Sequence, residues 1–148
     1  MPFDAVSLLA TVREIDARVV GGRIDKIYQP ERDEVVLSVR LARGGAKLLL
    51  SVGAGTPRMH FIDAGRENPA APPMFCMLLR KHLQGAKIVS VTSPDLERMA
   101  IIECDTTDEM GVPSKKYLMI ELMGKYSNLV LCDAEHRILD AIRRVEGD

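Results

Sequence analysis

EVVLSVRLARGGAKLLLSV, residues 34–52, decides the fold. Val35, Leu37, Val39 and Leu41 point one way and Ser38 and Arg40 the other, which is the two-residue period of a half-buried strand. Gly44-Gly45 breaks the apolar pattern and turns the chain, and residues 47–52 form a second apolar run. Residues 58–62 continue the meander after Gly53-Ala54-Gly55-Thr56-Pro57. Strands this close in sequence, joined by short turns, pair antiparallel.

Upstream, the sequence predicts a helix opening at Phe3-Asp4-Ala5. Asp4 is a good N-cap, Phe3 and Leu8 stand at the two positions of a hydrophobic staple, and Leu8, Val12, Ile15 and Val19 recur on one face. Gly21-Gly22 ends it. Downstream, Pro72-Pro73 opens a second helix that Gln84-Gly85 closes. Its wheel gathers Phe75, Leu78, Leu79, His82 and Leu83 on an apolar face and leaves Arg80, Lys81 and Gln84 on a basic one. Strands are expected at residues 87–92, 98–104, 116–122, 128–132 and 137–141, with a polar loop over 105–114 and a tight turn over 133–136. Helix, strands, helix, strands is an α+β pattern: a mostly antiparallel sheet or sandwich with two main helices.

The chain has 148 residues, 47% of them hydrophobic, enough for one domain with its own core; this excludes intrinsic disorder. No apolar run approaches the roughly 18–20 residues that span a bilayer, and MPFDAVSLLA lacks the basic start of a signal peptide, so a cytoplasmic protein is expected. The chain stops at Glu146-Gly147-Asp148, just after a strand-like segment, which reads as a fragment of a longer multidomain protein with residues 1–148 as one domain. Cys76, Cys104 and Cys132 lie in apolar surroundings without a CxxC pair and read as buried free thiols. The net charge of −1 conceals a gradient: residues 21–87 carry 11 Lys and Arg against 6 Asp and Glu, and residues 88–148 carry 7 against 12. A nucleic-acid partner is compatible with that balance, because a local basic face governs phosphate binding.

Catalytic signatures are scarce: GxGxxG, the P-loop, HExxH and GxSxG are all absent. Gly124-Lys125 has no glycine loop before it and reads as part of a turn. His82 reads as a core histidine, His60 falls on a strand and His136 in a turn. Arg80-Lys81 either complements the negative end of its helix or binds phosphate. Asp95-Leu96-Glu97-Arg98 joins two strands, and its Glu97-Arg98 pair is either a solvated ion pair or an arginine oriented to grip phosphate or a base edge.

Two stretches are distinctive. PPMFCMLLRKHL, residues 72–83, and ELMGKYSNLVLCD, residues 121–133, closely resemble the N-terminal domain of NFACT proteins, as do Gly21-Gly22-Arg23-Ile24, Lys26-Ile27, Gln29-Pro30 and residues 48–51. Bacterial members were first described as fibronectin-binding protein A and are understood as RqcH-type ribosome-associated quality control factors. The resemblance implies binding to a stalled large ribosomal subunit that carries peptidyl-tRNA, and recruitment of alanyl-tRNA for C-terminal alanine tailing; the ribosome itself makes the peptide bond. It implies no enzyme activity and no cofactor. It places tRNA engagement on Asp4, Glu97 and Arg98, with Glu97 standing where the family has Asp. Arg80, Lys81 and Lys125 are the candidate RNA phosphate contacts.

The family domain is also similar in fold to the N-terminal domain of formamidopyrimidine-DNA glycosylases, which attack through an N-terminal proline. Met1-Pro2 here makes a Schiff-base lyase the enzyme alternative. An adhesin is the third reading, with fibronectin as a partner by the older family name alone.

Overall fold

A computed structural model describes residues 5–53, 57–63, 71–94, 98–122 and 127–143. Helix α1 (Ala5–Val19) leads into a meander of β1 (Arg23–Glu31), β2 (Glu34–Arg40), β3 (Gly45–Ser51) and β4 (Arg58–Ile62). Helix α2 (Met74–Leu83) leads into a second one, of β5 (Lys87–Thr92), β6 (Met99–Thr107), β7 (Pro113–Glu121), β8 (Asn128–Cys132) and β9 (Ile138–Ala141). The nine strands form one sheet in the order β4-β3-β2-β1-β5-β6-β7-β8-β9, every neighbouring pair antiparallel. Of the two expected forms, sheet or sandwich, the molecule takes the sheet. It curls, and Asp33 in the β1–β2 turn meets Arg143 beyond β9, Oδ1 to Nε 3.4 Å.

The two meanders are joined back to back through their first strands. Each helix passes through a left-handed glycine, Gly21 (φ 84°) after α1 and Gly85 (φ 87°) after α2, and turns directly into a strand. Those strands then exchange backbone hydrogen bonds: Gly21 N–H to Ile88 O, Ile88 N–H to Gly22 O, Ile24 N–H to Ala86 O and Gly85 N–H to Ile24 O, all 2.7–2.9 Å. The helices cross over this seam. α1 packs on β5 and touches β6, whereas α2 packs on β1 and also meets β6 and β9.

The α1 face read from sequence is the buried one, with Leu8, Val12, Ile15 and Val19 all in the core. Asp4 and Phe3 lie outside the described residues. On α2, Phe75, Leu79 and Leu83 are buried as expected, but Leu78 and His82 are only half-buried and Cys76 takes the inward place. The reason is α2's position over β1, which turns Cys76 Sγ toward Ile27 O at 3.7 Å. The expected polar loop over 105–114 is also shorter. Asp105↔Lys115, Thr106↔Ser114 and Thr107↔Pro113 extend the β6–β7 ladder, and Asp108 Oδ1 closes the remaining turn by accepting from Met110 and Val112 N–H. The three cysteines are buried and free. Burial, with Asp105 and Glu103 adding to it, pushes the Cys104 thiol up to about 12, so it stays protonated at neutral pH. No described helix is long and apolar enough to cross a membrane.

Gly22 is the tightest point of the seam. A Cβ there would stand 2.7 Å from Val39 Cγ1, 2.8 Å from Leu41 Cδ2 and 3.0 Å from Val19 O. Val39 is a core residue without room to retreat. Gly22→Ala is therefore expected to cost about 1–3 kcal/mol, the range for overpacking, read as a lowered urea midpoint at constant m-value. An unshifted midpoint would mean that the seam is looser than its contacts indicate.

Candidate nucleic-acid interface

The described site residues read from sequence, Arg98 and the pair Arg80 and Lys81, separate to the two ends of the second meander. At one end, α1 runs antiparallel to β5: Gly21 bonds Ile88, and Asp16 lies beside Val91. The described start of α1 therefore points toward the β5–β6 connection. A cavity of about 400 Å³ lies between the two elements, with Arg13, Asp16, Ser90, Thr92 and Ser93 in its wall. Arg98 immediately precedes β6 with its side chain exposed, and its carbonyl accepts from Leu122 N–H at 2.8 Å. Met99↔Glu121 and Glu121↔Asn128 then carry the register across to β8. Arg98 is thus anchored by its backbone and open at its guanidinium. Asp4, Glu97 and Lys125 lie outside the described residues.

Asp16 has a definite local task. β1 and β5 part after Ile88, and a bulge between Ile88 and Ser90 turns the Val91 N–H to the side no strand covers. Asp16 Oδ1 accepts it at 2.7 Å. Sequence reading missed this, because a carboxylate in mid-helix gives no sign of which backbone group it will meet.

The other end holds Arg80 and Lys81. Arg80 was expected on the solvent side of α2. Instead it is half-buried, and its Nε donates to Ile27 O at 3.0 Å, the same carbonyl that faces Cys76 Sγ. It fastens α2 to β1. Its charge also pulls the Cys76 thiol down, but burial outweighs that and the thiol sits above its ordinary value. Lys81 is exposed, and its Nζ lies 3.3 Å from Glu109 Oε1 in the β6–β7 turn.

That turn is the far end of β6 from Arg98, about 25–30 Å away for a nine-residue strand. Leu122 and Ser127 lie at the Arg98 end of the ladder, opposite Arg80 and Lys81. Among the described residues no group of His, Cys, Asp or Glu is arranged to hold a metal ion.

A family model described as "NFACT N-terminal and middle domains" matches residues 4–148. The "Rqc2 homolog RqcH" of Bacillus subtilis (strain 168) is 37% identical over 146 residues, 98% of this chain and 26% of that protein. The "Ribosome quality control complex subunit NEMF" of Mus musculus is 28% identical over 141 residues, 95% of this chain and 12% of that protein. Among solved structures, the N-terminal domain of fibronectin-binding protein PavA from Streptococcus pneumoniae superposes with a TM-score of 0.94 at 39% identity, covering 98% of this chain and 55% of that one. This chain belongs to the NFACT family, whose members here include ribosome quality control factors. It spans about a quarter of the length of the bacterial relative.

Removing the Asp16 acceptor strands a partly buried N–H. Asp16→Ala is expected to cost about 1–3 kcal/mol, whereas Asp16→Asn keeps an oxygen in place and costs less. Thermal melts of the two variants check this, and equal losses would show that the charge of Asp16 matters rather than its hydrogen bond.

Proposed function

We propose that this chain is the tRNA- and large-ribosomal-subunit-binding domain of a cytoplasmic, non-enzymatic ribosome quality control factor. In this reading it serves a longer protein that recruits alanyl-tRNA to large subunits obstructed by peptidyl-tRNA, for alanine tailing of the nascent chain. Membership of the NFACT family over 98% of the chain carries the reading. Asp4, Glu97 and Arg98 are the tRNA-binding residues, with Arg80, Lys81 and Lys125 as phosphate contacts; no cofactor takes part.

The exposure of Arg98 supports its role. A solvated arginine contributes about 0–1 kcal/mol to folding, but a charge-assisted contact to RNA is worth about 1.5–3 kcal/mol, roughly tenfold to more than a hundredfold in affinity. Arg98→Ala in the full-length protein is therefore expected to melt within a few degrees of the parent while alanine tailing of stalled chains collapses. Glu97→Asp, restoring the family side chain, is expected to keep or improve tailing. An Arg98→Ala protein that tails normally, or fails only by unfolding, overturns the assignment.

A second reading follows from the name of fibronectin-binding protein PavA: an adhesin that binds fibronectin. We carry the likeness in fold to formamidopyrimidine-DNA glycosylase as part of the proposal, without its lyase chemistry. Each rival predicts something this reading forbids, namely saturable binding of the chain to fibronectin, or a borohydride-trapped adduct of Pro2 with abasic-site DNA.

A further inference from the structure

Lys116 occupies an inward position of β7. It keeps the two-residue register of Leu118 and Ile120, both core residues, it pairs with buried Cys104 across the ladder, and it is only 7% exposed. Its ammonium has three N–H groups. Among the described residues it makes one hydrogen bond, to Ser114 Oγ at 2.9 Å, and no ion pair. A lysine this buried ordinarily has a carboxylate partner, because stripping water from an ammonium is costly. Its neighbour Lys115 has two, Glu103 at 2.9 Å and Asp105 at 2.7 Å.

Lys116 opens on a cavity of about 360 Å³ between the last turn of α2 and the β6–β7 turn, whose wall also includes Lys81, His82, Thr107 and Glu109. His82 is held below its ordinary pKa first by burial and then by Lys116 and Lys81, with Glu109 opposing. The imidazole is therefore neutral at pH 7 and carries one N–H to donate. Asp108 in the same wall has its Oδ1 taken by the Met110 and Val112 N–H groups of its own turn, and keeps its negative charge. Glu109, also in the wall, has its side chain 83% exposed and pairs with Lys81. Donors from α2, β6 and β7 thus converge in a wall that also holds two carboxylates, of which Glu109 is ion-paired with Lys81 and neither is ion-paired with Lys116.

We propose that this groove binds a phosphate group of an RNA backbone, with Lys116 at its floor, Lys81 at its rim, and Thr107 and His82 as further donors. The assignment rests on the RNA-binding reading above and extends it to Lys116, His82 and Thr107. A phosphodiester supplies one negative charge and two free oxygens, which suits a buried ammonium with unused donors better than the single oxygen Glu109 offers Lys81.

The test titrates the 148-residue chain with inorganic phosphate and, separately, with a duplex RNA oligonucleotide, following the His82 imidazole by NMR. Both are expected to shift it and to raise its pKa, since a bound anion favours the imidazolium. By linkage, binding tightens as pH falls through that pKa. Lys116→Met is expected to weaken both ligands at least tenfold and to remove about one unit of the log–log salt slope for RNA, while melting at or above the parent because it removes a buried charge. Glu109→Gln, which withdraws the competing carboxylate, is expected to tighten both several-fold.

Three results overturn the proposal. One is Lys116→Met binding both ligands as the parent does; another is its losing binding together with its fold; the third is phosphate depending on Lys116 while RNA does not, which makes this a free-anion site. The Arg98→Ala tailing assay reads the other end of the domain, so failure of the broader function and failure of this groove are separately visible.

Discussion

The seam between β1 and β5 is the interaction on which the molecule depends. Four short backbone hydrogen bonds join two four- and five-stranded meanders that otherwise share no strand pairing. Because each helix turns into its strand through a left-handed glycine, the seam also sets where the helices lie. α1 ends up on β5 and α2 on β1, so each half is covered by the helix that leads into the other. A hydrophobic face has no stabilising value until something covers it. Neither half can therefore complete its core alone, and one continuous cluster runs from Leu8 through Leu79 to Leu131.

This arrangement places candidate function at the two ends of one long hairpin. β6 and β7 carry Arg98 at one end and the Lys81–Glu109 contact at the other, with nine residues of paired strand between them. A rigid ladder holds such points at a fixed separation, which suits a ligand that is itself long and regular. The core between them is apolar, and its single inward charge, among the described strand residues, is the lysine that opens on the groove.

Much of the fold was legible because its signals are local. Strands 58–62, 87–92 and 128–132 have the bounds their composition predicts, since each is a short apolar run closed by turn residues. The α1 face follows from 3.6-residue spacing and needs no tertiary information. What could not be read is what one element does to another. Arg80 looks solvated on a helical wheel and is drawn back to the Ile27 carbonyl only because α2 lies over β1. The β6–β7 ladder extends into a segment that looks like polar loop, because Thr106 and Ser114 contribute through pairing rather than through hydrophobicity. Lys116 is an intermediate case. The alternation of Lys116, Leu118, Ile120 and Leu122 already points it inward, and only the habit of reading a lysine as surface hides it.

The crossing of the helices has a consequence during synthesis. When β4 has been made, α1 exists without the strand that covers it, and β1 has an open edge on the side that β5 will occupy. At about 5–20 residues per second, the ribosome takes a few seconds more to deliver β5. Through that interval an apolar helix face and an unpaired strand edge are exposed together, the combination that invites wrong association. A ribosome that halts in that stretch would hold its chain at its most adhesive.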